Sequence, residues 1–192
     1  EVLDEVLEGY FDESARSIET VKENLEIVKR MVSGIFESQK EGGRLLIGGN
    51  GGSCADAEHF AGEMVCTFDD SGRRSFSALS LAGNPSAITA WANDFGFETY
   101  FKRQIEALAQ KDDLIIPITT SGNSVNIVEA LKFSQKNKLK VFGIFGNNGG
   151  KCKKYSSNYF LVSSKNPSRI QEIHIIFWQS VCEIVEEFYA SK

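Results

Sequence analysis

What most constrains the fold of this chain is the alternation of short, largely apolar runs with stretches of helical periodicity. The runs are Arg44 to Ile47, Ser75 to Leu81, Asp113 to Ile118, Lys140 to Phe145 and Asn158 to Val162. They have the length of strands, and their near-continuous apolarity is that of strands buried on both faces. Between them, apolar residues recur at three- and four-residue steps at about Ser53 to Cys66, Ser86 to Ala92, Glu98 to Leu108, Ser124 to Asn137, briefly at Lys151 to Tyr155, and from Ser168 to about Tyr189. Such an order calls for a parallel sheet with right-handed helical crossovers. The fold class is α/β: a doubly wound five-stranded parallel sheet flanked by helices, with a flavodoxin-like or related strand order. Pro117 fits awkwardly, because it removes a ladder donor from a strand that the pattern places centrally.

Before the first strand, Val2, Leu3, Val6, Leu7, Tyr10, Phe11, Ile18, Val21, Leu25, Val28, Val32, Ile35 and Phe36 trace an amphipathic stripe. It is long enough for one helix or two and closes at Gly42-Gly43. No linker or repeat interrupts the chain, so residues 1–192 read as one domain, with a helical segment over 1–41 and an α/β core over 42–192. An apolar stripe of this length needs cover, and a second copy of the chain is the expected source.

Composition narrows the function. The 21 Lys and Arg against 26 Asp and Glu leave a net charge of −5, the wrong sign for a protein that grips nucleic acid through many phosphates. Cys54, Cys66, Cys152 and Cys182 form no paired motif, which fits reduced thiols. The acidic opening and the absence of a membrane-length apolar run place the chain in the cytoplasm, away from membranes.

In doubly wound sheets, ligands bind at the carboxyl ends of the strands. After the first strand stands Gly48-Gly49-Asn50-Gly51-Gly52-Ser53, which lets backbone approach a ligand and ends in free helix-start N–H groups. A tight turn would use the same residues. After the third strand stands Thr119-Thr120-Ser121-Gly122-Asn123-Ser124. Its hydroxyls, glycine and helix start make a neutral phosphate cradle, which an acidic protein can use without a basic patch. An ordinary N-cap at Asn123 or Ser124 accounts for only one of these polar residues.

Asp56, His59 and Glu63 follow at steps of three and four. His59 and Glu63 therefore share a helix face, as a metal pair, an acid–base pair or a solvated polar face. On the last helix, Ile170, Ile173, Phe177, Val181 and Ile184 form a core stripe flanked by Gln171 and Gln179. His174 falls on the other side of Gln171, as a packing or interface histidine.

Gly49-Asn-Gly-Gly-Ser53, Asp56-Ala-x-His59-Phe-Ala-x-Glu63, Asn93-Asp94-Phe-Gly96, Thr120-Ser-Gly-Asn-Ser124 and Arg169-Ile-Gln-Glu-x-His174 together resemble the sugar isomerase (SIS) domain superfamily and, within it, the phosphoheptose isomerases. The resemblance spans nearly the whole chain. It implies conversion of D-sedoheptulose 7-phosphate to D-glycero-D-manno-heptose 7-phosphate through an enediol, for heptose precursors of lipopolysaccharide or capsule. Asn50, Gly51, Gly52, Ser53, Asp56, Asn93, Asp94 and Gln171 would contact the sugar, and Thr119, Thr120, Ser121 and Ser124 the phosphate. Glu63 would transfer the proton. The family's zinc site would take His59, Glu63 and Gln171, and its assembly is a tetramer with pockets at subunit boundaries.

The fourth zinc position, a histidine that is also the second acid–base group in the isomerases, is Gln179 here. Glutamine does not titrate near neutral pH. Zinc is therefore an optional cofactor. Two alternatives stand beside the isomerase: a non-catalytic oligomeric regulator similar to the bacterial protein that associates with the replication initiator, and a different sugar-phosphate isomerase on the same scaffold.

Overall fold

The computed structural model describes residues 2–69 and 72–190. The N-terminal stripe forms two helices, α1 (Val2–Lys22) and α2 (Leu25–Lys40), which separate at Glu23 and Asn24. The α/β part then runs β1 (Leu45–Gly49), α3 (Gly52–Val65), β2 (Ala78–Ser80), α4 (Pro85–Phe95), α5 (Tyr100–Leu108), β3 (Leu114–Thr119), α6 (Val125–Lys136), β4 (Lys140–Val141), β5 (Gly143–Gly146), β6 (Tyr159–Val162) and α7 (Pro167–Ala190). Every pairing is parallel, in the order β2-β1-β3-β5-β6, with β4 also on β3. Among the described residues, no helix is long and apolar enough to cross a membrane.

The sheet has six strands where five are expected, because the Lys140 to Phe145 run is divided. The register is the same on either side of the break, Leu114 with Lys140 and Ile118 with Ile144. Phe142 N–H donates to the Ile115 carbonyl at 2.9 Å. In a parallel ladder the next bond would come from the N–H of residue 117 to the Phe142 carbonyl, and proline has none. Counted as one strand, β4 and β5 give the flavodoxin-like order. β2 is also shorter than the Ser75 to Leu81 run. The Phe76 N–H goes to Met64 of α3, and the Gln39 side chain bonds both backbone groups of Ser77.

Strand side chains alternate between two cores. Leu45, Ile47, Ile116, Ile118 and Ile144 face α2, α3 and α7, whereas Leu46, Ile115 and Phe145 face α5 and α6. Helix α7 buries Ile170, Ile173, Phe177, Val181 and Val185. Ile184, expected in this stripe, is exposed. Towards its end the buried face of α7 turns to Val185 and to Glu186, whose carboxylate pairs with buried Arg73 at 2.7 Å.

Candidate active site

The strand order reverses between β1 and β3, so the loops that follow them diverge and leave a crevice at their carboxyl ends. Helix α3 departs to one face of the sheet and α6 to the other. Both helices begin at this crevice without a side-chain cap. Gly51 (φ 56°) occupies the N-cap of α3, and Ser124 that of α6, with no side-chain cap hydrogen bond at either. By contrast, Asn84 caps α4 by accepting from the Ala87 N–H at 3.0 Å. Two open helix starts concentrate N–H donors and positive dipole ends where an anion would sit.

The hydroxyl loop is held from within and from behind. Thr119 is buried, and its Oγ1 accepts from the Gly122 N–H at 3.3 Å and lies 3.2 Å from Ser124 Oγ. The Thr119 hydroxyl thus closes the loop from within. Gly122 has φ 65°, and a Cβ there would lie 2.2 Å from the Gly149 backbone. The loop is further tied by Cys152 N–H to the Gly122 carbonyl and by Lys151 N–H to Asn123 Oδ1. Ser121 and Asn123 are exposed, and Thr120 and Ser124 are half-buried, leaving Thr120, Ser121 and Ser124 for a ligand.

Asn50 does not point its amide freely at the crevice. It exchanges two hydrogen bonds with Asn126, of 2.9 and 2.8 Å, and Asn126 Oδ1 also accepts the Ile127 N–H. This reciprocal pair joins the glycine loop to the first turn of α6. Asn126 is absent from the residues selected by motif; a buried asparagine inside a helix, where its side chain competes with the backbone, was the available signal. The Gln171 amide lies directly on Gly52, where a Cβ would meet its Nε2 at 2.6 Å. Ser53 is buried in the first turn of α3.

Farther along α3 the chemistry changes. His59 Nε2 lies 2.9 Å from Glu63 Oε1, with the Glu63 side chain 21% exposed. The His59 ring meets Trp178 edge-on at 4.8 Å, and Phe60 stacks on the same indole. Helices α3 and α7 therefore run parallel, with Gln171 level with Gly52 and Trp178 level with His59. Asp56 is buried beside them. Burial pushes its carboxyl up to about 6, opposed by the Trp178 indole and by His59. Asp56 Oδ2 and Trp178 Nε1 are nevertheless without a hydrogen bond of normal geometry.

One chain does not unite these parts. Glu63 is eleven residues beyond Gly52, about 16 Å along the helix axis, towards the opposite end of the sheet. Met64, the next residue, accepts the N–H of Phe76, which precedes β2. Asn93 and Asp94 sit exposed on the last turn of α4, bonded to each other at 2.8 Å.

The proposed metal ligands are also separated. Within one chain Gln171 lies level with Gly52, about 10 Å along α3 from His59. Among the described residues no three of His, Cys, Asp and Glu come together as metal ligands. Within one chain His59 and Glu63 supply one imidazole and one carboxylate, already bonded to each other, fewer ligands than a zinc site takes.

Comparison with known proteins agrees with this architecture. Residues 9–146 match the family model of the SIS domain. The chain is 41% identical over 172 residues to the phosphoheptose isomerase of Aliarcobacter butzleri (strain RM4018), covering 90% of this chain and 89% of that protein. It is 38% identical to that of Helicobacter pylori (strain P12) over the full length of both. Among solved structures, the phosphoheptose isomerase of Neisseria gonorrhoeae superposes with a TM-score of 0.87 at 33% identity, covering 96% of this chain and 99% of that one. The enzyme of Francisella tularensis gives 0.90 at 30% identity, covering 97% and 99%.

Proposed function

The chain belongs to the SIS domain family and, within it, to the phosphoheptose isomerases, and we propose that it interconverts D-sedoheptulose 7-phosphate and D-glycero-D-manno-heptose 7-phosphate at a site shared between copies of the chain. The observation that carries this reading is the pair of uncapped helix starts at the β1/β3 switch point, beside the Thr120, Ser121 and Ser124 hydroxyls. The phosphate sits there on neutral donors, which suits a chain of net charge −5.

The chemistry is a proton shift without net oxidation. Glu63 takes the proton from C1 of the ketose, the electron pair forms the C1–C2 double bond, and charge collects on O2. The proton returns to C2 while the O1 hydroxyl proton passes to O2, leaving an aldehyde at C1. His59, bonded to Glu63, would carry the oxygen-to-oxygen transfer. Gln179 hydrogen-bonds to the sugar without titrating.

Since Glu63 and the cradle of one chain lie near opposite ends of the sheet, a second copy supplies one of them. Exposed Asn93 and Asp94 reach the sugar across the same boundary. The exposed stripe of Val2, Leu3, Val6 and Phe11 on α1 supports a homo-oligomer, for which we propose a tetramer acting in the cytoplasm. Its product would supply heptose precursors of lipopolysaccharide or capsule.

The test is aldose formation from sedoheptulose 7-phosphate in the presence of a chelator. Turnover that Glu63→Gln abolishes is expected. Binding without turnover, with zinc or without, would instead favour a non-catalytic oligomeric regulator, the reading to which Gln179 points.

A further inference from the structure

The densest polar network between the N-terminal helices and the rest of the chain converges on the first turn of α7. Arg169 is fully buried, with its guanidinium 3.5 Å from the centre of the Tyr10 ring. It donates to the Tyr10 carbonyl at 2.8 Å, to Ser14 Oγ and to Glu172 Oε1. Glu172 in turn accepts from the Tyr10 hydroxyl at 2.6 Å and from Ser14 Oγ at 3.0 Å. Four side chains, two from each helix, thus bind one another around a cation that has no access to water.

Gln171 lies between the two α7 members of this network, and its amide rests on the backbone of Gly52 at the open start of α3. A planar guanidinium held at several donors fixes a helix turn in rotation as well as in position. Rotation of this turn is what would carry the Gln171 amide on or off the glycine loop. We infer that Tyr10 and Ser14 of α1 are positioning residues that, through Arg169 and Glu172, hold Gln171 over the glycine loop. The functional half of this inference rests on the reading of Gln171 as a sugar contact.

Tyr10→Phe and Ser14→Ala, alone and combined, remove the hydroxyl arms while leaving the ring and the apolar contacts of α1. Two readouts separate the mechanical claim from the functional one. In amide hydrogen exchange without substrate, the double variant should exchange about tenfold faster over residues 51–54 and 167–172, with the strand amides protected as before. In kinetics with sedoheptulose 7-phosphate, KM should rise about tenfold and kcat stay within about twofold, as for loss of a contact made equally in the ground and transition states. Ser14→Thr, which keeps the hydroxyl, should retain wild-type values.

Unchanged exchange at residues 51–54 would overturn the inference whatever the kinetics. Gln171→Ala is the control. If it leaves KM unchanged while the double variant still loosens both segments, the latch is upheld and the sugar contact is what fails.

Discussion

The cradle at the start of α6 and the His59–Glu63 corner between α3 and α7 are built on opposite principles. The cradle is made almost wholly of one loop, Thr119 to Ser124, braced by Gly149 and by the Asn50–Asn126 pair. It uses hydroxyls and backbone N–H groups, none of which titrates near neutral pH. The corner takes its ionisable side chains, His59 and Glu63, from α3 and packs the His59 ring against Trp178 of α7. It includes a buried Asp56, and Gln179 follows Trp178 on α7. On the proposed reading, phosphate binding depends on backbone geometry, which a substitution on a distant helix leaves intact. Proton transfer, on the proposed reading, depends on a few side chains.

The contrast can be broken most sharply at Glu63. Glu63→Gln should lower turnover by about 10³-fold, within the range for loss of a general base, while sugar-phosphate affinity measured by calorimetry stays within about threefold. An equal fall in affinity would mean that the corner also holds the phosphate. The reverse pattern is expected of the cradle. Thr120→Ala combined with Ser124→Ala should weaken binding of the substrate, or of inorganic phosphate, by about 2–3 kcal/mol, from loss of hydrogen bonds to a charged group.

His174 sharpens the comparison through stability. It is buried between α7 and β5, and burial pushes its imidazole down to about 4, partly opposed by the backbone of Phe145. Below pH 6.5 the unfolded chain takes up a proton that the folded chain refuses. Stability is therefore full above about 6.5 and falls towards pH 4, by up to about 3 kcal/mol for this group. Asp56 acts in the opposite sense: its raised pKa disfavours the fold as pH climbs from 3.8 to about 6. The wild-type acid limb is thus shallower than His174 alone would make it. Thermal melts of wild type and His174→Gln across pH 4 to 7 should diverge, with the variant losing less on acidification.

Gln179→His carries the smallest expected change and bears on the corner alone. Restoring a titratable group beside Trp178 should raise turnover about tenfold with little change in KM. No gain would mean that His59 already suffices for the second transfer.

Much of this was legible in the sequence. The apolar runs indicate the parallel sheet, the order found is the flavodoxin-like one expected by default for such a fold, and the glycine and hydroxyl loops stand where the motifs place them. The departures have local causes. Pro117 divides a strand because its missing N–H faces β5, and Ile184 leaves the core because the end of α7 turns its buried face to Val185 and Glu186. In the site, motif spacing put Glu63 on one helix face with His59, but only the length of α3 shows how far it lies from the cradle. Thr119 joins the phosphate hydroxyls by its place in the loop after the third strand, and its inward hydroxyl depends on the loop closing on itself. Asn126 was missed because its partner Asn50 is 76 residues away.

The central claim is that cradle and base come from different copies of the chain, and subunit complementation tests it most directly. Glu63→Gln and Thr120→Ala/Ser124→Ala chains, each impaired alone, are co-expressed with distinct tags, and the mixed oligomer is purified through both. Turnover of sedoheptulose 7-phosphate well above that of either parent is predicted, because some sites then pair an intact cradle with an intact Glu63. A purified mixed oligomer no more active than the average of its parents would contradict it.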